Sequence, residues 1–95
     1  MLETEKSDAL TRALEIFQAL TEPMRIKILQ SLEERDYCVC ELMGVLNLSQ
    51  PAVSYHVGLL ADAGLITTQK KGRKVICKLR KKGLITQLLK LVESL

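Results

Sequence analysis

Hydrophobic residues recur at helical spacing along most of the chain. Leu10, Leu14 and Phe17 stand at positions i, i+4 and i+7, which predicts a first helix over about residues 7–20. A Thr-Glu-Pro sequence then offers a cap candidate and a proline suited to a first helical turn, so a second helix is expected from there to about residue 34. Each helix carries one apolar stripe, which is typical of helices that pack on a shared core.

A helix-turn-helix pair is predicted in the middle of the chain. A polar break at residues 35–37 precedes a short third helix at about residues 39–46. Asn47 tolerates the left-handed conformation that a helix exit often needs, and it begins a tight turn. A fourth helix is expected over about residues 49–63, ended by Gly64, because glycine adopts the left-handed conformation without steric cost.

A hairpin and a last helix complete the predicted elements. The hairpin, called the wing, is expected over about residues 65–79, with strands at 65–69 and 74–79 and a Lys-Gly-Arg turn between them. The last helix is expected over about residues 82–93. Residues 1–95 are therefore expected to form a single mainly α domain with one β-hairpin. Helix, tight turn, helix and hairpin in this order are typical of a winged helix-turn-helix fold.

The last helix is apolar over a wider arc than one small core can cover. Leu84, Leu88 and Leu91 mark one stripe, and a second apolar stripe runs beside it. A second copy of the same helix is the simplest partner for the uncovered part, and small helical domains often depend on a partner subunit. We therefore expect the chain to self-associate.

Charge is distributed unevenly along the chain. Residues 1–69 carry five Lys/Arg against ten Asp/Glu, whereas residues 70–95 carry nine against one. Eight of the fourteen basic residues fall between Lys70 and Lys82. Such a cluster is either a solvated charged hairpin or a surface that neutralises the phosphates of a polyanion.

The fourth helix is the candidate recognition helix. On a helical wheel its apolar side chains face the core, whereas Ser54 and Tyr55 face outward near its N-terminus, where recognition helices meet base edges. Gln50 can pair with adenine or with a phosphate. His56 lies between the two faces, so a hydrogen-bonded structural role and a DNA contact both stay open. The wing is expected on the flanking phosphates, with a wing that contacts only protein as the alternative. The candidate DNA-contacting residues are Ser49, Gln50, Ser54, Tyr55, His56, Lys70, Lys71, Arg73 and Lys74.

Length and composition exclude several classes of protein. One histidine, no candidate pair of catalytic carboxylates and no phosphate-binding glycine loop argue against an enzyme. No apolar run approaches the roughly 18 residues of a membrane span, and the N-terminus from Leu2 to Glu5 is acidic and polar. We therefore expect a cytoplasmic protein without membrane contact. Three cysteines are too few for a disulfide scaffold and are expected to be reduced thiols, metal ligands or redox sensors.

Two sequence runs carry a family resemblance. Residues 48–57 are Leu-Ser-Gln-Pro-Ala-Val-Ser-Tyr-His-Val, and residues 20–25 are Leu-Thr-Glu-Pro-Met-Arg. Together they closely resemble the ArsR/SmtB family of bacterial and archaeal repressors, over about residues 8–92. The resemblance implies a homodimeric winged-helix repressor that packs through its first and last helices and leaves its operator when a metal or metalloid ion, or another signal, acts on it. The implied dimer contacts are Leu10, Leu14, Phe17, Leu84, Leu88 and Leu91.

A third run, Cys-Val-Cys-Glu-Leu at residues 38–42, resembles the Cys-Val-Cys-Asp-Leu box of this family. The soft thiolates of Cys38 and Cys40 suit a thiophilic ion such as As(III), Sb(III), Cd, Pb or Zn. On a regular helix, residues i and i+2 lie about 200° apart, so both sulfurs face one ion only if the third helix unwinds locally. A disulfide between them is expected to be strained, so a redox switch is expected to need Cys77 or another chain.

The family pattern is incomplete at this site. Arsenic sensors often carry a third cysteine where this chain has Met43, and the strand phase of Cys77 favours the core over a third-ligand role. Three readings stay open: a repressor released by a thiophilic ion at Cys38 and Cys40, a repressor that responds to thiol oxidation or a non-metal signal, and a winged-helix module for protein–protein interaction. No cofactor is expected to be required for folding.

Overall fold

The computed structural model of the chain describes the backbone of residues 4–95 and the side chains of residues 8–95. The acidic side chains at the N-terminus, from which we argued against a secretory signal, lie outside the described residues. In the part described, no helix has the length and apolarity to cross a bilayer. The elements are α1 (Thr4–Ala19), α2 (Pro23–Glu34), β1 (Tyr37–Cys38), α3 (Val39–Leu46), α4 (Gln50–Asp62), β2 (Ile66–Lys71), β3 (Lys74–Leu79) and α5 (Lys82–Glu93).

The order of helices and the hairpin confirm the predicted mainly α winged helix. The prediction was wrong at Tyr37, because the polar break contains a short strand. β1 pairs antiparallel with β3, with Tyr37 opposite Cys77 and Cys38 opposite Ile76, so the sheet has three strands in the order β1-β3-β2. The strand that ends at Cys38 fixes the start of α3 against the sheet.

The first strand of the wing extends further, and the turn is tighter, than expected. β2 runs to Lys71, which pairs with Lys74, so only Gly72 and Arg73 form the turn between the strands. Gly72 has a φ of 62°, a conformation that a two-residue hairpin often demands and glycine adopts without strain. The pairs Lys70–Val75 and Lys71–Lys74 extend the two-stranded hairpin beyond the core, so these basic side chains lie on regular strands.

Helix ends are set by local chemistry around the helix-turn-helix. The Glu22 carboxylate accepts a 2.6 Å hydrogen bond from the Met24 amide and caps α2. Asn47 ends α3 in the left-handed conformation with a φ of 55°, and Ser49 caps α4 through the Ala52 amide. These ends hold α3 and α4 in a fixed relation across the three residues 47–49.

The core lies between the helices and the inner face of the sheet. It includes Ile28, Leu29 and Leu32 of α2, Leu42 of α3 and Val53 of α4, all at most 2% exposed. Outside this core, the apolar side chains of α1 and α5 that were expected at a dimer contact remain largely uncovered, apart from the half-buried Leu88. Their exposures are 61% for Leu10, 50% for Leu14, 62% for Phe17, 60% for Leu84 and 62% for Leu91.

Candidate nucleic-acid interface and thiol pair

The N-terminal turn of α4 presents polar side chains away from the core. Ser49 and Gln50 are exposed, and the Gln50 Nε2 donates a 2.7 Å hydrogen bond to the Ser54 Oγ. The Tyr55 side chain follows on the same helix and is 63% exposed. The side chains of Gln50, Ser54 and Tyr55, which can read bases or bind phosphate, are thus grouped near the start of α4.

The wing presents four exposed cations beside this helix: Lys70, Lys71, Arg73 and Lys74. None of them makes an ion pair with a carboxylate of the described residues. A cleft of about 470 Å³ separates the wing from α3 and α4, and it brings Gln50 and Ser54 together with Arg73 and Lys74. Tyr55 and His56 do not line this cleft, and neither do Lys70 and Lys71.

The His56 side chain contacts a buried arginine, Arg25, that was not among the predicted site residues. Arg25 is only 8% exposed, and its Nη1 lies 3.1 Å from the Nδ1 of His56. A guanidinium has only donors, so the His56 Nδ1 is the acceptor and the ring proton is on Nε2. Arg25 also donates through Nε to the Ala19 carbonyl at 2.7 Å and through Nη2 to the Gln18 carbonyl at 3.3 Å. One side chain therefore joins the end of α1 to the recognition helix.

The two cysteines of the candidate signal site are joined to each other. Cys38 is the N-cap of α3 in an extended conformation, φ −83° and ψ 160°, and Cys40 lies in the first turn of the helix. Their Cα atoms are 5.3 Å apart and their sulfurs form a disulfide. Two expectations were wrong: neither local unwinding of α3 nor Cys77 is needed to bring two sulfurs together. The reason is that Cys38 lies outside the helix, so helical spacing does not apply to the pair.

Cys38 also shares a capping box with Glu41. The Cys38 Sγ accepts from the Glu41 amide at 3.4 Å, and the Glu41 carboxylate accepts from the Cys38 amide at 2.9 Å. That backbone hydrogen bond, and then the Arg35 guanidinium 3.2 Å away, lower the pKa of the Glu41 carboxyl. The hydrogen bond with the Glu41 carboxylate in turn raises the pKa of Arg35. Arg35 in turn lies 3.7 Å above the Tyr37 ring. The sulfur of Cys38 is thus part of the cap that begins α3.

Cys77 is separated from this pair. It lies opposite Tyr37, one register position away from the Cys38 pair, so its side chain points to the other face of the sheet. It is fully buried, and burial raises its pKa to about 11. No group of three His, Cys, Asp or Glu side chains that could hold a metal ion occurs among the side chains from residue 8 onward.

Comparison with known proteins gives consistent relatives. The family model described as "Bacterial regulatory protein, arsR family" matches residues 22–68. The HTH-type transcriptional repressor SmtB of Mycobacterium tuberculosis is 40% identical over 72 residues, covering 76% of this chain and 53% of that protein. The arsenical resistance operon repressor of Bacillus subtilis is 36% identical over 72 residues, covering 75% of this chain and 69% of that protein. The chain thus spans about half the length of the first of these relatives.

Solved structures agree over nearly the whole chain. Reduced HlyU from Vibrio cholerae superposes with a TM-score of 0.76 at 30% identity, covering 94% of this chain and 97% of that one. The homodimeric winged helix-turn-helix domain Mb0332 from Mycobacterium bovis, a possible ArsR-family regulator, gives a TM-score of 0.86 at 17% identity, covering 98% of this chain and 88% of that one. At that identity the second likeness concerns the fold alone.

Proposed function

Because this chain belongs to the ArsR/SmtB family of bacterial regulatory proteins, we propose that it is a transcriptional repressor that binds double-stranded operator DNA as a homodimer. One observation carries the proposal: Gln50 and Ser54 of α4 and two exposed wing cations, Arg73 and Lys74, line one cleft. Relatives named as repressors support repression, rather than activation, of transcription. A regulator of transcription acts where the chromosome lies, so we place it in the cytoplasm.

The two halves of this surface have different tasks on DNA. Gln50, Ser54 and Tyr55 are proposed to enter the major groove, where an amide matches adenine and hydroxyl groups accept or donate to base edges. The wing cations are proposed to bind the flanking phosphates, which position the protein without reading sequence. The His56 Nδ1 is occupied by Arg25, so this ring is proposed to orient the helix rather than to read a base.

The homodimer is proposed from the uncovered faces of α1 and α5. Leu10, Leu14 and Phe17 on α1 and Leu84 and Leu91 on α5 are each at least half exposed. Apolar area of this extent on a small domain is normally covered by a partner. A second copy supplies the same faces in two-fold symmetry and places a second recognition helix on the duplex.

The signal is proposed to act at the Cys38–Cys40 pair. In the reduced form, two adjacent thiolates suit a thiophilic ion such as arsenite, antimonite, Cd, Pb or Zn, and relatives named as arsenical resistance repressors support this class. Cys77 faces away and Met43 is a weak thioether donor, so Cys38 and Cys40 are the protein donors that fit. The ion is an inducer in this proposal and is not needed for folding.

Thiol oxidation is the second candidate signal, and a specific observation favours it. Cys38 and Cys40 are disulfide-bonded within one chain, next to α3. Either signal engages the Cys38 Sγ, which accepts a hydrogen bond from the Glu41 amide in the cap of α3. Because only residues 47–49 connect α3 to α4, a change at this cap is proposed to be transmitted to the recognition helix. Coupling of this kind typically changes affinity about 5–150-fold.

A fluorescence-anisotropy titration tests the proposal. Reduced protein is titrated onto a labelled duplex from upstream of its own gene, and arsenite, Cd or Zn is then added in one arm and diamide in the other. We expect DNA release, about tenfold or more in Kd, in at least one arm. The C38S/C40S variant should bind DNA normally, because serine caps a helix well, and should lose the response. A C77A control should retain it. An unchanged response in C38S/C40S would contradict the signal site.

A further inference from the structure

The cleft between the wing and the two central helices has the side chain of Cys40 in its wall. Its volume of about 470 Å³ is in the range that holds small organic ligands. Val39, Met43, Val57 and Val75 give it an apolar lining. Cys40 lines the cleft and is exposed, whereas its partner Cys38 is 3% exposed. A reagent that enters the cleft therefore meets Cys40 first.

The charges around the cleft favour an anionic reagent. Arg73 and Lys74 line it and make no ion pair among the side chains described. The Glu41 carboxylate, which interacts electrostatically with Lys74, is already paired with Arg35 at 3.2 Å. Two free cations beside an apolar wall are the complement of a small molecule with an apolar middle and carboxylate ends.

We infer that this cleft is a docking site for low-molecular-weight disulfides that carry carboxylates, and that Cys40 is the thiol that exchanges with them. The inference rests on the oxidation form of the proposed function. It names the oxidant class, which the pairing of Cys38 with Cys40 alone does not. Arg73 and Lys74 bind the carboxylates, and the disulfide lies along the apolar wall beside the Cys40 sulfur.

The exchange balances in two steps. The Cys40 thiolate attacks one sulfur of R–S–S–R, a Cys40–S–S–R bond forms, and the first RS⁻ leaves and takes a proton. The Cys38 thiolate then attacks the Cys40 sulfur, the Cys38–Cys40 bond forms, and the second RS⁻ leaves. The protein dithiol is oxidised by two electrons, and the small disulfide is reduced to two thiols. Cys77, buried and with a raised pKa, takes no part.

The test compares three small disulfides on the fully reduced protein without DNA. Dithiodipropionate carries two carboxylates, hydroxyethyl disulfide is neutral and cystamine carries two ammonium groups. The rate of thiol loss is measured by quenching with an alkylating agent and mass spectrometry, and the chain unfolded in urea gives the reference rates. We expect the folded protein to favour the dianion over the dication by about tenfold relative to the unfolded chain. The free thiols should fall from three to one.

Two variants of equal charge decide whether the cleft is responsible. R73Q/K74Q removes the two cations that line it and should abolish the preference, whereas K70Q/K71Q removes two cations of the same wing outside it and should keep the preference. Equal loss in both variants, no preference in the wild type, or a mixed disulfide that persists at Cys40 would each overturn the inference. The assay contains no DNA, so its failure leaves the repressor proposal standing, and loss of DNA binding leaves this result standing.

Discussion

Replacing Arg25 by methionine should lower the unfolding free energy, because it removes the hydrogen bonds that connect the end of α1 to the recognition helix. The side chain is 8% exposed and donates to the Ala19 carbonyl, the Gln18 carbonyl and the His56 Nδ1. Hydrogen bonds from a charged donor contribute about 1.5–3 kcal/mol each when buried, less where water replaces the partner. Methionine keeps much of the aliphatic stem, so the expected loss is the hydrogen-bonding part, about 3 kcal/mol of unfolding free energy.

Thermal unfolding followed by circular dichroism measures this loss. For a domain of this size, about 3 kcal/mol lowers Tm by roughly 12–24 °C. Protomer concentration is kept fixed, because a dimer gains apparent stability with concentration. Lys27→Met is the matched control: it removes a cation from the same helix at an exposed position, and it should change stability by less than about 0.5 kcal/mol.

A double-mutant cycle measures separately how much the contact between Arg25 and His56 contributes to stability. R25M, H56A and the double variant should give a coupling free energy of about 1 kcal/mol. Arg25→Lys, which keeps the charge but not the three-way donor geometry, should fall between R25M and the wild type. A Tm of R25M within about 2 °C of the wild type, or an equal loss of Tm in Lys27→Met, would contradict the stabilising role of the Arg25 hydrogen bonds.

Three further predictions follow from exposure and titration. Leu14→Glu or Leu91→Glu should convert the dimer to monomer in analytical ultracentrifugation, whereas Val45→Glu, equally exposed on α3, should leave it dimeric; a monomeric wild type contradicts the interface. The lowered pKa of Glu41 means that its stabilisation is present above the ordinary carboxyl pKa and is lost as pH falls, so Glu41→Gln should flatten the acid limb of Tm against pH. The raised pKa of Cys77, about 11, means that its stabilisation is present below about pH 9 and is lost towards pH 11. In the reduced, folded chain, iodoacetamide at pH 8 should therefore alkylate Cys40 but not Cys77, which should react only after unfolding. Equal alkylation rates at Cys40 and Cys77 in the folded chain would contradict the burial of Cys77.

Much of the fold could be predicted from the sequence, because helical periodicity and turn residues are local signals. The order of helices, the left-handed Asn47 and the hairpin all follow from neighbours in sequence. The strand β1 could not be predicted, since two residues show no alternation and their partner strand is nearly forty positions away. The first strand of the wing was also ended too early at residue 69, because lysines such as Lys70 and Lys71 are common in loops and only their pairing with β3 makes them strand residues.

The candidate site was predicted less completely for the same reason. Gln50, Ser54 and Tyr55 could be placed from a helical wheel, since their orientation depends on one helix alone. The geometry of Cys38 and Cys40 was not predicted, although α3 begins where expected, because the extended conformation of Cys38 comes from its pairing with Ile76 of β3, which is distant in sequence. Arg25 falls in phase with the buried face of α2, and an arginine in an apolar phase was the signal that could have revealed it.

The most direct test of the account measures how the reduced dimer binds its own promoter duplex and a scrambled duplex across a range of salt concentrations. We expect tighter binding to the promoter duplex than to the scrambled duplex, with log Kd linear in log salt. Lys70→Gln should reduce that slope by about one and leave the preference intact, whereas Ser54→Ala should reduce the preference and leave the slope intact. A reduced wild-type protein that binds neither duplex at low salt, or that binds both equally, would contradict the account.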